Sequence, residues 1–214
     1  VPHRVVEQVA QPGAEQVLST SVDGWTSGFP VEVLDGERTA LVAYGMNGEP
    51  LPAEHGFPVR LVVSGLYGYV SATKWLETIE LTTWEGRDGY WVPRGWAKEG
   101  PIKLASRIDV PRRGAQVPAD ALVLGGVAWL PATGVGAVEV SVDEGPWQEC
   151  ELAPVASTDT WVQWRLPLPG LPAGRHRARV RAIDAEGRPQ SEEVRPPAPD
   201  GATGLHEQEF EVVG

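Results

Sequence analysis

Two alternating stretches near the C-terminal end constrain this chain more than anything else in it. In "RHRARVRAID", Arg175, Arg177, Arg179 and Arg181 take alternate positions, with Ala178, Val180 and Ala182 between them. In "HEQEFEVV", Glu207, Glu209 and Glu211 alternate with Phe210 and Val212. A period of two belongs to a β-strand with one buried face. Like charges along one strand face repel unless an oppositely charged strand lies beside them. The two stretches are therefore expected to be neighbours in one sheet, arginines beside glutamates. That pairing explains the arginine run without a nucleic-acid patch.

The segments before them fit the same architecture. "ALVLGGVAWL", "AVEVSVD", "WQECELA" and "TWVQWRLPL" are short apolar or alternating runs spaced by turns. With the two charged stretches they predict an immunoglobulin-like β-sandwich. "RIDVPRRGAQVPADA" reads as the boundary of this second domain, placed over 102–214. The first domain, 1–101, reads differently. "VPHRVVEQVAQPGAEQ" has room for one short helix, ended by "QPG". A strand, a turn at Asp23-Gly24 and a second extended piece follow. Two buried strands are expected at Ala40 to Tyr44 and Val59 to Val63, with a type I′ turn at Asn47-Gly48 between them. "TKWLETIELTTW" is expected to be a strand closing the unit. "EGRDGYWVPRGWAKEGP" is a long irregular segment of the kind that is functional or linking.

Charge and cysteine usage exclude several functions. The net charge of -11 opposes contact with nucleic acid or an anionic membrane. Cys150 is the single cysteine, so no intrachain disulfide and no multi-cysteine zinc or redox motif is available. No apolar run reaches the roughly 18 residues that span a bilayer.

The stretch "HGFPVRLVVSGLYGYVSATKW", His55 to Trp75, carries the candidate chemistry. Arg60 and Lys74 flank an apolar strand and a turn with Gly65 and Gly68. Glycines let backbone approach a ligand closely. A guanidinium fork and an ammonium suit a phosphate or another anion. By chemistry alone this reading competes with a surface arginine, a surface lysine and a capping histidine.

The order of residues goes further. "GMNGEPLPAEHGFPVRLVVSGLYGYVSATKW" resembles the sulfite oxidase family of molybdenum enzymes, in the part of the molybdopterin domain that follows the catalytic cysteine. The run Met46 to Arg60, then Ser64-Gly65, then Lys74-Trp75 carries the likeness. It extends upstream to "STSVDGWTSGFP" and downstream through the sandwich, which is similar to that family's dimerisation domain. "LYGYVSATKW" is most similar to the bacterial, membrane-associated members, which implies a membrane-associated or extracytoplasmic parent.

The resemblance implies a mainly β chain: an incomplete α+β molybdopterin-binding domain followed by the sandwich. It implies that His55, Arg60, Ser71, Thr73 and Lys74 hold the pterin and its phosphate, that Asp23 is a further pterin contact, and that Tyr90, after Arg87-Asp88, is the active-site tyrosine. The molybdenum-ligating cysteine of the family stands upstream of a helix similar to "VPHRVVEQVAQPGA". The chain is therefore expected to be a C-terminal portion that is inactive alone and without molybdenum cofactor, and Cys150 is not taken as a ligand. Where the family carries a substrate arginine, this chain reads "PPAPDGATGLHEQ", with Asp200. A carboxylate repels sulfite, so the parent is expected to pass an oxygen atom to or from another small substrate. A homodimer through the second domain is the expected assembly. The alternative class is a non-enzymatic extracellular binding or assembly module, with Trp25, Trp84, Trp91 and Trp96 as a stacking platform for glycans.

Overall fold

The computed structural model describes residues 13–34, 36 and 38–214. The helix expected before "QPG" falls almost wholly on 1–12 and lies outside them. The chain divides into two compact units, one running to Ile102 with 197–201 added, the other made of 103–196 and 202–214. Both are mainly β.

In the first unit, β1 (Gln16–Ser21) and β2 (Thr26–Pro30) form a hairpin around the Asp23-Gly24 turn, where Gly24 has φ +84°. β3 (Ala40–Ala43), β4 (Gly45–Met46), β5 (Glu49–Pro50), β6 (Arg60–Val63) and β7 (Leu76–Thr82) complete its strands. β7 lies against β1, giving the order β2-β1-β7, while β3 pairs only with β6 and β4 only with β5. Asn47 and Gly48 both have positive φ, 54° and 84°, as a type I′ turn requires. Val17, Phe29, Leu61, Val63 and Val70 meet in one core.

Of the two strands expected to be buried, β6 is buried on one face and β3 only at Ala40. Leu61 and Val63 point into the core, whereas Leu41 and Val42 are 45% and 38% exposed. Among the described residues this two-stranded sheet keeps apolar side chains exposed, and apolar composition alone does not reveal that. The strand Val59 to Val63 also begins one residue later, at Arg60.

In the second unit the strands are β8 (Ala105–Val110), β9 (Gln116–Pro118), β10 (Val123–Trp129), β11 (Val135–Val142), β12 (Gln148–Glu149), β13 (Glu151–Leu152), β14 (Val162–Pro167), β15 (Gly174–Asp184) and β16 (His206–Val213). They make two sheets, β13-β14-β10-β8 and β12-β11-β15-β16-β9. Leu124 and Trp164 of the first share a core with Val138, Val180 and Phe210 of the second. The result is a two-sheet sandwich, compatible with the immunoglobulin-like expectation. "WQECELA" crosses between the sheets at Cys150: β12 pairs with β11, and β13 with β14.

Two points correct the sequence reading. "RIDVPRRGAQVPADA" is no mere boundary: it supplies β8 and β9, an edge strand to each sheet. Its prolines and the Arg-Arg-Gly turn hide two short strands that tertiary pairing stabilises. Residues 197–201, read as part of the second domain, belong to the first unit. There the Ala97 amide donates to the Pro199 carbonyl at 2.9 Å.

The charged ladder forms in the expected register. β15 and β16 are antiparallel neighbours, with Arg175 opposite Glu211, Arg177 opposite Glu209 and Arg179 opposite Glu207. The side chains use only part of it. Arg177 lies 3.4 Å from Glu209 and 3.9 Å from Glu207. Arg181 instead reaches Glu139 of β11 at 2.7 Å and stacks over Trp147 at 4.2 Å.

Candidate functional site

Backbone bonds pin Arg60 and Lys74 side by side. The Leu61 amide donates to the Thr73 carbonyl at 2.8 Å, and the Leu76 amide to the Val59 carbonyl at 2.9 Å. Residues 72–75 thus run alongside the start of β6. Behind them, Thr73 is fully buried and its hydroxyl lies 2.7 Å from Ser19 Oγ and 2.9 Å from Ser27 Oγ. This three-hydroxyl cluster ties Lys74's segment to the β1–β2 hairpin.

Opposite stands a 3₁₀ turn, Ala53–His55, closed by Gly56 at φ +105°. Its carbonyls face the two basic residues. Lys74 Nζ donates to Glu54 O at 2.8 Å, Arg60 Nη1 to His55 O at 3.3 Å and Trp75 Nε1 to Ala53 O at 2.7 Å. A Cβ built on Gly56 would stand 3.0 Å from Lys74 Cβ and 3.1 Å from Arg60 Cβ. Glycine is needed there on both counts, space and φ. Trp75 holds φ +49°, unusual for a bulky residue, and its indole bond to Ala53 helps fix that conformation.

His55, Arg60, Thr73 and Lys74 are therefore brought together. The histidine side chain is exposed beside Glu54, with Nε2 3.8 Å from its carboxylate. Thr73 turns inward. Ser71 also turns inward, its hydroxyl donating to Tyr67 O at 3.1 Å. For these two the side chains serve the fold, and the motif gave no sign of it, because a hydroxyl reads the same whether it points in or out.

Asp23 faces Lys74 across a cleft of about 280 Å³ that Ser21, Trp25, Ala72 and Trp75 also line. The Trp25 amide donates to the Asp23 carboxylate at 3.0 Å. That bond, helped by the neighbouring Ser21 hydroxyl, holds its pKa below the usual carboxylate value. Tyr90 is not in this lining. It sits on the irregular segment after β7, with its amide bonded to Thr26 O at 2.9 Å. Arg94 lies 3.6 Å over its ring and donates to its carbonyl at 2.6 Å. Asp200 stands near Tyr69; burial, then this carboxylate, raises the Tyr69 pKa.

The four tryptophans weighed as a platform do not share a face. Trp25 lines the cleft, Trp84 packs with Lys98, and Trp91 meets Trp96 edge-on at 6.1 Å. Stacking on a sugar needs rings presented flat and together, and these are not.

Among the described residues neither Arg60 nor Lys74 makes an ion pair, and both rest on carbonyls. Arg60 Nε is buried without a hydrogen-bond partner. A half-buried guanidinium with an unmet donor is the condition an anionic ligand would relieve. The phosphate end of a pterin cofactor fits that demand.

Among the described residues no three His, Cys, Asp or Glu side chains gather. Cys150 lies in the core of the second unit, where burial, then Glu139 and Glu149, pushes its thiol up to about 12. A thiol that stays protonated is a poor metal ligand.

The chain is similar to known proteins. Residues 3–91 match the family described as "Oxidoreductase molybdopterin binding domain". The mitochondrial sulfite oxidase of Homo sapiens is 32% identical over 189 residues, covering 76% of this chain and 34% of that protein. The chain belongs to the sulfite oxidase family. An uncharacterised oxidoreductase of Bacillus subtilis, YuiH, is 42% identical over 87 residues, 41% of this chain and 42% of that protein. Among solved structures, the sulfane dehydrogenase SoxCD of Paracoccus pantotrophus shares the fold. Its TM-score is 0.73 at 22% identity, covering 97% of this chain and 58% of that one. The chain spans less than half the length of these two curated relatives. It contains a molybdopterin-binding oxidoreductase domain of the sulfite oxidase type.

Proposed function

We propose that this chain is the C-terminal part of a molybdopterin-dependent oxidoreductase. It contributes the phosphate side of the cofactor site and a sandwich that pairs two copies. The observation that carries this is the Arg60–Lys74 pair: two cations without a carboxylate partner among the described residues, packed closely against Gly56. The family membership gives the anion its identity. When bound, the molybdenum cofactor supplies oxygen-atom transfer and its electrons. The chain's own residues bind and orient. Arg60 and Lys74 hold the phosphate, His55 offers a hydrogen bond from the turn beside Arg60, and Asp23, which lines one cleft with Lys74, is a pterin contact. Ser71 and Thr73 act through the fold by holding Lys74's segment in place. Tyr90, clamped by Arg94, is the candidate active-site tyrosine. Asp200 stands where a substrate arginine is expected, which argues for a substrate other than sulfite.

The test uses the full-length parent. Arg60→Ala should lower molybdenum and pterin content at least tenfold, while the unfolding midpoint moves by no more than a few degrees. Equal cofactor content in the variant and the wild type would sink the assignment.

A further inference from the structure

The second unit has its own unmet demand for negative charge, remote in sequence from the pterin motif. A cavity of about 390 Å³ lies at the N-terminal end of β15, lined by Arg113, Arg175, His176, Glu209 and Glu211 among others. Arg113 sits on a fixed turn: the Gly114 amide donates to Glu209 O at 2.9 Å, and the Ala115 amide to Arg112 O at 2.9 Å.

The carboxylates of this cavity are already engaged. Glu211 lies opposite Arg175 in register, yet accepts its hydrogen bond from Gln116 Nε2 at 2.8 Å. Glu209 takes Arg177 at 3.4 Å. Among the described residues Arg113 and Arg175 are left with no ion pair and no side-chain hydrogen bond. His176 also lines the cavity but adds no net charge, because its ring is paired with the Asp143 carboxylate. Its ring nitrogens face Asp143 Oδ2 at 2.7 Å and the Pro172 carbonyl at 2.8 Å. Both partners are acceptors, so both nitrogens donate and the ring is the imidazolium.

In a chain of net charge -11, two unpaired guanidiniums beside one cavity stand out. Each offers a planar fork of donors matched to a tetrahedral oxyanion. We propose that this cavity binds a small inorganic oxyanion of the sulfate or phosphate type between Arg113 and Arg175. The site is independent of the cofactor reading, since every residue in it belongs to the second unit.

The experiment titrates sodium sulfate, and separately phosphate, into the whole chain at constant ionic strength. The arginine side-chain N–H signals are followed by NMR. Saturable shifts of Arg113 and Arg175 are expected. Arg113→Gln and Arg175→Gln should each weaken binding at least tenfold, and Glu211→Gln should tighten it severalfold by removing a repelling carboxylate. Both arginines are exposed, so the variants retain the fold. Non-saturating shifts, or equal shifts in wild type and Arg175→Gln, would overturn the proposal. So would an Arg175 signal that moves on Glu211→Gln without any oxyanion, since the arginine would then be paired in solution. Self-association that is lost in Arg175→Gln, with no oxyanion binding, would assign the cavity to a second copy instead.

Discussion

Gly56 shows most directly how single residues set this site. It closes the Ala53–His55 turn at φ +105°, and its missing Cβ is what lets the turn lie against Arg60 and Lys74. Gly56→Ala should lose about 1–3 kcal/mol from the strained φ alone. It should also push the two basic side chains off their carbonyl acceptors. Urea unfolding would measure the first effect, and cofactor retention in a full-length parent the second. Wild-type stability in the variant would show that the turn can flip to a normal φ. The motif exposed Arg60 and Lys74 as a pair, because their order in the chain is distinctive, but it pointed to Gly65 and Gly68 rather than to Gly56. It could not show that Ser71 and Thr73 face inward, since only the packing of the β1–β2 hairpin against residues 71–73 decides that.

At the scale of elements, β15 and β16 carry two histidines with opposite pH behaviour. Burial alone would lower the His176 pKa, but the bonds to Asp143 and to the Pro172 carbonyl outweigh it and the net shift is upward. The folded chain thus holds this proton more tightly than the unfolded one. The stabilisation is fully present below the unfolded value near 6.5 and is lost as pH rises through the raised folded pKa. His206 is shifted down by burial, then by Arg107. Its Nδ1 accepts from the Ile108 amide at 3.1 Å, which requires the neutral ring. Its contribution is present above 6.5 and is lost as pH falls through the depressed folded pKa. Stability is therefore expected to peak near neutrality and fall on both sides. Asp143→Asn should flatten the alkaline limb and leave the acid loss from His206 in place, as read by urea midpoints from pH 5 to 9. An unchanged alkaline limb in Asp143→Asn would show that the His176 pair contributes nothing.

For the molecule as a whole, the testable property is assembly. The second unit exposes Val110, Val123, Val155 and Trp161 at 40–49% and Val194 at 85%. Singly such side chains are ordinary on a surface, and they mark an interface only where they join into one patch. A two-fold homodimer is expected, with its contacts mainly after Ile102. Sedimentation at high micromolar concentration checks it, and a monomer there would count against pairing through this unit.

What the sequence determined by itself was whatever is written in periodicity or in residue order. The alternation of "RHRARVRAID" and "HEQEFEVV" fixed two strands as neighbours, because charge repulsion leaves few other arrangements. The long ordered run from Met46 to Trp75 identified the family and the basic pair, because no generic strand needs those residues in that order. What only tertiary structure decided concerns groups whose role depends on distant partners. The edge strands β8 and β9 exist because β10 and β16 pair with them, and 197–201 joins the first unit through bonds such as Ala97 to Pro199. Among the described residues Arg175 makes no ion pair although its cross-strand Glu211 stands opposite and bonds Gln116 of β9. Register follows from local pattern. Which side chain satisfies which follows from everything packed around it.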